Sequence, residues 1–322
     1  MSHRLDPLLN PESIVVVGAT TSGGMGSRII KNLQHGWYKG KLYGLHPKNK
    51  EAFGVPCYPD FASLPEKVEH AIFAVSDERI EGVVDAAIEA GVKAMSIMSM
   101  LYLDDDEKPY LKDRLQAKLK AADILLCGAN GMGFFHIEKG VWVNGHFSRP
   151  NHEPGGVCII SQSGSGVAGI IDCEERINLN LSVSSGSELT VGAEDYLDYI
   201  LHQESTTVVG MFLETIRKPE KMIQAFELAN EKKIPIVLSS LALNDISLLH
   251  LPAESFVEYQ LRAQKMAKDR FVATAAYGDG GPWYIPIKEE YPAQGYEVRV
   301  AFCEPTVDDV MTEGISKLLE VK

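Results

Sequence analysis

The sequence predicts an α/β protein: two successive units of parallel strands and covering helices, then a mixed α/β or β-rich tail. Three observations predict it. Short β-branched runs alternate with amphipathic helical stretches from residue 13 onward. A strand passing through a glycine- or serine-rich turn into a helix occurs twice. The alternation stops after Ser239. Strands alternating with helices pair in parallel through right-handed crossovers, and such sheets gather ligands outside the carboxyl ends of their strands.

Ile14-Val15-Val16-Val17 is a continuous apolar run, the mark of a strand buried on both faces, and Ser27 to Leu33 places Ile29, Ile30 and Leu33 on one helical side. Strands are predicted at 41–45, 71–75, 94–98 and 124–126, with helices over 80–90 and 110–121. Gly18 and Gly128 then stand at strand ends. The polar stretch His146 to Gly156, with Pro150 and Pro154, reads as an interdomain linker. Beyond it, the strand Val157 to Ile160 enters Ser161-Gln162-Ser163-Gly164-Ser165-Gly166 and a helix from Val167. Strands at 208–213 and 234–238 flank a helix over 220–231. Past Ser239, apolar strands at 246–251 and 271–275 accompany a Gly/Pro/aromatic segment, Tyr277 to Pro286. The expected domains are 1–148, 149–239 and 240–322.

The length of 322 residues agrees with more than one domain, since single cores stop growing at about 250 residues. A hydrophobic fraction of 45% and a charged fraction of 23% are those of an ordinary globular protein. The net charge of -13 repels phosphate backbones, so nucleic acid is not an expected partner and an anionic ligand needs a local basic pocket. Cys57, Cys127, Cys158, Cys173 and Cys303 form no C-x-x-C pair, which reads as reduced thiols and a cytoplasmic protein. The N-terminus lacks the apolar core of a signal peptide, and no membrane span is expected because no apolar run approaches about 18 residues.

The loop from Gly18 through Thr20, Ser22, Gly23 and Gly24 to Gly26 joins a strand to a helix. Glycines there let backbone N–H groups approach a phosphate at the positive helix end. The spacing is not a strict G-x-G-x-x-G, and a tight connection alone would also explain it. The end of the second strand discriminates. NAD-binding domains place an acidic residue there, whereas this chain has His46-Pro47-Lys48-Asn49-Lys50. Two lysines and a histidine suit a phosphorylated ribose, either the 3′-phosphate of coenzyme A or the 2′-phosphate of NADP; a solvated basic turn is the plain alternative.

The ordered series Ile14 to Gly18, His46-Pro47-Lys48, Tyr58-Pro59, Leu64-Pro65 and Gly128-Ala129-Asn130-Gly131-Met132-Gly133 resembles the CoA-binding domain of NDP-forming acyl-CoA synthetases, relatives of the succinyl-CoA synthetase α subunit. Ser161 to Gly164, Ser184 to Glu188, Ala193 to Tyr199 and Phe212 to Arg217 resemble that family's next domain. The resemblance covers about residues 8–239 and implies a Rossmann-like CoA-binding domain followed by a flavodoxin-like one. It implies coenzyme A or acyl-CoA as ligand, with Gly18, Thr20, Ser22, Gly23, Gly24, Gly26, His46, Pro47, Lys48 and Asn130 around it. It also implies that Ser161, Gln162, Ser163 and Gly164 hold a phosphate and that Glu214 pairs with a phosphorylated histidine.

That histidine, expected in a small-residue loop after 234–238, is absent, because the chain reads Ser239-Ser240-Leu241-Ala242-Leu243-Asn244-Asp245. His250 follows in an apolar strand without flanking glycine or alanine. The family's ATP-grasp part is also missing from the sequence, so full ligase activity would require a separate β-like subunit, and an oligomer is expected. Residues 240–322 resemble the C-terminal part of neutral ceramidase-like hydrolases through Leu251 to Tyr259 and Tyr277 to Glu297. There Glu254 and Tyr284 match zinc-binding positions. Without two histidines no functional zinc centre is expected, and no metal is assigned. The competing readings are thus a CoA-binding α-like ligase part, a ceramidase-like amide hydrolase fragment, and a non-enzymatic NADP or nucleotide sensor.

Overall fold

The structure, a computed structural model, describes residues 3–145, 153–164, 167, 171, 177–213, 215–234, 239–243, 246–252, 254–278, 284–293, 295–301 and 303–319. The chain forms two compact units, Met1–Thr207 with Arg217–Ile234, and Val208–Ile216 with Pro235–Lys322.

The first unit opens on a seven-stranded sheet. Its strands are β1 (Ser13–Val17), β2 (Lys41–Leu45), β3 (Glu51–Ala52), β4 (Val55–Tyr58), β5 (His70–Phe73), β6 (Ala94–Ile97) and β7 (Leu125–Gly128), in the order β3-β4-β2-β1-β5-β6-β7. All pairs are parallel except the β3–β4 hairpin. The apolar run of β1 has both faces buried because helices cover the sheet on both sides. Those helices include α2 (Met25–His35), α3 (Asp77–Glu89) and α4 (Leu111–Ala121). In α2, Ile29, Ile30 and Leu33 are fully buried, while Ile80, Val84 and Ala87 of α3 and Leu111, Leu115 and Leu119 of α4 join the main core. The 3.6-residue period of these side chains is what made the helices legible. Helices α3 and α4 are also laced together outside the core: Arg114 forks onto Glu81 and reaches Asp106, and Lys118 bridges Glu81 and Asp85.

A second sheet within the same unit holds β8 (Gly133–His136), β9 (Val141–Asn144), β10 (Val157–Ser161) and β11 (Leu179–Ser184), with neighbours in the order β10-β11-β8-β9. Strands β10 and β11 are parallel; β11–β8 and β8–β9 are antiparallel. The hairpin of β8 and β9 was not predicted. Its strands read Gly-Phe-Phe-His and Val-Trp-Val-Asn, buried at every position, so no period-2 alternation announces them. Asn32 of α2 donates to the Asn144 carbonyl at 2.8 Å, and Arg28 donates to the Gly145 carbonyl at 3.2 Å, which fixes this hairpin against the first sheet's helix. The predicted helix from Val167 and strand over 234–238 fall mostly outside the described residues.

The second unit is mixed α/β. β13 (Ser239–Leu243), β14 (Ile246–Pro252) and β16 (Phe271–Gly278) form a three-stranded sheet whose β13–β14 pair is antiparallel and β14–β16 pair parallel. Leu249, Leu251, Tyr259, Ala263, Val272, Ile285, Met311 and Ile315 make its own core.

Two histidines are buried in the first unit. His70 on β5 shares a 2.9 Å hydrogen bond with the Ser96 hydroxyl, and His136 on β8 lies 3.0 Å from the Leu9 carbonyl through Nδ1. Burial disfavours the imidazolium and pushes His70 down to about 3 and His136 down to about 4, although backbone hydrogen bonds oppose the shift. Both are therefore neutral when folded. The unfolded chain takes up these protons as pH falls below the usual histidine value of about 6.5, so stability present above that pH is lost progressively toward the folded values. The expected loss is up to about 1.4 kcal/mol per pH unit for each histidine. Equilibrium urea unfolding of the first unit's core should show a falling midpoint from pH about 7 to about 5, and His70→Gln should reduce the linked proton uptake by close to one.

Candidate functional site

The carboxyl end of β1 is shaped by contacts that leave no room for a side chain. Gly18 has φ +90°, and a Cβ there would lie 2.4 Å from the Ala74 carbonyl oxygen at the end of β5. At Gly26, in the first turn of α2, a Cβ would lie 2.3 Å from the Gly18 carbonyl oxygen. These two glycines let the helix start directly over the strand end. Gly23 and Gly24, with φ +101° and +91°, face open space instead, and Gly24 precedes the helix as its cap residue. Residues 21–25 are exposed, and the first-turn amides of any helix lack intrahelical partners. The loop is held from within: the Ser27 hydroxyl donates to the Thr20 and Gly23 carbonyls, and the Thr20 and Ser22 hydroxyls lie 2.9 Å apart.

The basic turn after β2 meets this loop. Gly18 and Ala19 N–H groups both donate to the Leu45 carbonyl, and the Asn49 side-chain amide donates to the Ala19 carbonyl at 3.4 Å. His46 Nδ1 accepts from the backbone amides of Lys48 and Asn49, at 3.1 and 3.0 Å. That leaves the ring proton on Nε2 and winds the turn around the imidazole. Pro47, Lys48 and Lys50 are exposed on it. The exposed Gly23–Met25 stretch and the exposed Lys48 and Lys50 thus belong to adjoining turns.

At the other end of the sheet, the turn after β7 is clamped between sheets. Asn130, exposed with φ +53°, receives its position from its own amide, which donates to the Ser99 carbonyl at 2.7 Å. The Ala129 carbonyl accepts from Ser187 N–H at 2.7 Å, and Met132 N–H donates to the Ser184 hydroxyl at 2.9 Å. A Cβ on Gly186, φ +61°, would lie 2.2 Å from the Ala129 oxygen.

The Ser161–Gly164 loop meets this turn through the Ser184–Gly186 strand end. Buried Ser161 turns its hydroxyl back into the loop, donating to the Ser163 carbonyl at 2.8 Å and accepting the Ser163 amide at 3.1 Å. Ser185 N–H donates to the Ser161 carbonyl at 2.8 Å, and a Cβ on Gly164 would touch Met132 Cγ at 2.5 Å. Next to it is Glu188, whose side chain is fully buried with φ +52°. Its Oε1 accepts the Ser185 hydroxyl at 2.8 Å; Arg217 Nε stands 3.8 Å from Oε2. Burial pushes the carboxyl up to about 7, against hydrogen bonds from Ser185 and Gln162.

Two family models match the chain: a CoA binding domain over residues 12–137, and a succinyl-CoA ligase like flavodoxin domain over residues 154–244. The protein carries a CoA-binding domain and a succinyl-CoA ligase-like flavodoxin domain. The match of the first supports coenzyme A binding by residues 12–137. The chain is 29% identical over 245 residues to a trans-feruloyl-CoA synthase from an unknown prokaryotic organism, covering 74% of this chain and 34% of that protein. It is 28% identical over 241 residues to an ADP-forming acetate–CoA ligase of Methanocaldococcus jannaschii, covering 74% and 33%. The α subunit of ADP-forming acetate–CoA ligase I of Pyrococcus furiosus is 25% identical over 246 residues, with 73% and 52% covered. Among solved structures, the apo acetyl-coenzyme A synthetase 1 of Ca. Korarchaeum cryptofilum superposes with a TM-score of 0.63 at 28% identity, covering 69% of this chain and 49% of that one. The chain thus spans about a third of the length of the first curated relatives it matches.

On the CoA-binding domain, Gly18 to Gly26 and His46 to Lys48 come together at one strand end, while Asn130 stands at the end of β7, at the junction with the ligase-like domain. Ser161 to Gly164 reach that junction from the other side. Glu214 lies outside the described residues. Glu188 was not singled out from sequence: a glutamate four residues past a Ser-Ser-Gly strand end reads as solvated, and only its burial distinguishes it. The matched models end at residue 244, and the ceramidase-like reading of residues 240–322 finds no support in these similarities. Glu254 and Tyr284 are register partners in the short parallel pair β15 (Glu254–Ser255) and β17 (Tyr284–Ile285), and the Tyr284 ring packs edge-on to Tyr296. Among the described residues one group with metal-binding side chains converges, His3, Asp198 and His202. Leu5 N–H donates to His3 Nδ1, which puts the ring proton on Nε2, facing Asp198 at 3.0 Å; the geometry is that of a hydrogen-bonded pair rather than a metal ligand set.

The glycine contacts give a paired test. Gly26→Ala must displace backbone and should cost at least about 2 kcal/mol together with most of the CoA affinity. Gly82→Ala in α3, where a Cβ meets nothing within 4 Å, should stabilise by about 0.5–1 kcal/mol and leave CoA binding unchanged. Thermal unfolding and calorimetric titration measure both.

Proposed function

We propose that this chain is the α-like, CoA-binding part of an ADP-forming acyl-CoA synthetase (acid–thiol ligase). The observation that carries this reading is the tie between the glycine loop and the His46–Lys50 turn through Asn49 and the Ala19 carbonyl. It supports a reading in which the exposed Gly23 to Met25 stretch and the exposed Lys48 and Lys50, on adjoining turns, serve the pyrophosphate and the ribose 3′-phosphate respectively. Gly18, Thr20, Ser22, Gly23, Gly24 and Gly26 form the pyrophosphate side, His46, Pro47 and Lys48 the ribose side, and Asn130 the end toward the reacting thiol. Ser161, Gln162, Ser163 and Gly164 form the phosphoryl side, and Glu214 keeps the role of pairing with a phosphorylated histidine that the resemblance implies.

Thioester chemistry on this reading draws on a nucleotide-binding part beyond these residues. No S-H-T-G or G-H-A-G loop for a phosphohistidine follows residue 238 in the 322 residues. A separate β-like chain would bring the nucleotide, as the α-subunit relatives suggest. The acyl phosphate would then be cleaved by the CoA thiol at the junction, the thiol sulfur bonding to the acyl carbon as phosphate leaves and the thiol proton passes to solvent or a protein base.

Calorimetric titration tests the cofactor reading. CoA should bind more tightly than dephospho-CoA and NADPH. Replacing both Lys48 and Lys50 by alanine should weaken CoA by about tenfold, or 1.4 kcal/mol, with little effect on dephospho-CoA. NADPH binding as tightly as CoA would instead favour a nucleotide sensor. Incubating the chain with a β-like partner and ATP labelled in its γ-phosphate should yield no acid-labile phosphohistidine on this chain; its appearance would overturn the missing-relay reading.

A further inference from the structure

Glu188 is held by the two halves of the proposed site at once. Its flanking amides both donate to the turn after β7: Ser187 N–H to the Ala129 carbonyl at 2.7 Å, and Leu189 N–H to the Gly128 carbonyl at 3.5 Å. Its carboxyl faces the other way, toward the Ser161–Gly164 loop, through the 2.8 Å bond from Ser185 and the side chain of Gln162. Ser185 in turn donates its amide to the Ser161 carbonyl. A left-handed backbone at a non-glycine residue is unfavourable, and here surrounding bonds on both sides maintain it.

The charge around this carboxyl is finely divided. Among the described residues Glu188 Oε2 is buried without a hydrogen-bond partner, and the cation facing it, Arg217 Nε at 3.8 Å, belongs to a half-exposed side chain whose Nη2 donates to the Ser187 carbonyl. Glu194, also buried, adds negative charge and is itself paired with Lys218 at 3.1 Å. Tyr196 and Cys127 lie within electrostatic reach of this carboxyl, and burial keeps both protonated, raising the Cys127 thiol to about 11. Asp195, beyond Glu194, is saturated by Lys218 and Lys221. Thus, among the described residues of this set, Glu188 is the buried carboxyl without a committed cationic partner.

We propose that Glu188 is a positioning residue for the Ser161–Gly164 loop, and that it couples binding of a tetrahedral oxyanion there to uptake of one proton on its own carboxyl. This rests on the reading of Ser161–Gly164 as the phosphoryl loop. A docked dianion and an ionised Glu188, joined through Gln162 and Ser185 in a site of low dielectric, repel each other. The dianion is accommodated when a solvent proton moves to Oε2. The resulting acid keeps the Ser185 bond on Oε1, leaves Gln162 in place and frees Arg217 to face the ligand. When the phosphoryl group leaves, the proton is released.

Sulfate is the suitable probe, because it remains a dianion where inorganic phosphate itself titrates. Calorimetric titration of the chain with sulfate, from one pH unit below to one unit above the Glu188 titration near 7, in two buffers of different ionisation heat, reads affinity and proton uptake together. Affinity should fall by up to tenfold per pH unit on the alkaline side, with proton uptake approaching one. Glu188→Gln should bind sulfate at the acid-limit affinity at every pH, with no uptake, and should bind CoA as the unsubstituted chain does. Sulfate affinity of the unsubstituted chain that is independent of pH, or a pH dependence that survives in Glu188→Gln, overturns the role of Glu188. If sulfate binds neither protein at any pH, the phosphoryl-loop reading itself falls. The profile of the unsubstituted chain does not depend on how the variant folds.

Discussion

Backbone touching backbone is the constraint on which the first unit depends. Gly26 lies against the Gly18 carbonyl, Gly18 against Ala74, and Gly186 against Ala129, each at a separation a Cβ would occupy. The first two contacts bring helix α2 over the end of β1 and aim its free amides at the space beyond the sheet. The third binds the turn after β7 to the strand end that carries Ser184 and Ser185. Remove any of these approaches and the loops above them lose their common floor, since packed interiors respond to added volume by shifting rather than compressing.

This makes the glycines serve two purposes that sequence alone does not separate. Gly18 and Gly26 are packing residues; Gly23 and Gly24, with open space about them, are the ones that leave the loop accessible to a ligand. The irregular spacing of the motif follows from that division, because the packing pair is set by the strand-to-helix geometry while the intervening residues span an exposed arch. The basic turn was legible for a simpler reason, that Lys48 and Lys50 stand where an acidic residue would otherwise be. Its attachment through Asn49 and its winding about His46 Nδ1 are tertiary facts with no periodic or compositional signature.

The same contrast governs the rest of the fold. Helices α3 and α4 were read correctly because each buries one side, and β1 because it buries both. The hairpin 133–144 was missed because burial on both faces erases alternation in segments only four residues long, whereas Leu179 to Ser184 does alternate as a strand should and was passed over, its polar positions being buried as well. Charge misled in the opposite direction. Glu188, Glu194 and Asp195 look like surface residues in a chain of net charge -13, yet all three are buried, and Arg217, Lys218 and Lys221 reach them from the following segment.

That last cluster explains how the segment after residue 214 is held. A buried carboxylate costs several kcal/mol unless paired, so Glu194 and Asp195 compel Lys218 and Lys221 to dock. Burial pushes Asp195 upward, but Lys218, the Gly192 amide and Lys221 together hold its carboxyl below the usual range, the sign of a committed pair. Glu188 is treated differently by the same short run of chain: Arg217 stops at 3.8 Å, and burial prevails. Three carboxylates and three cations therefore divide the work, two pairs fixing the segment in place and the third left electrostatically unsettled beside Gln162. A site that handles an anion in one state and not in another requires such asymmetry, because a fully compensated cluster would respond to neither.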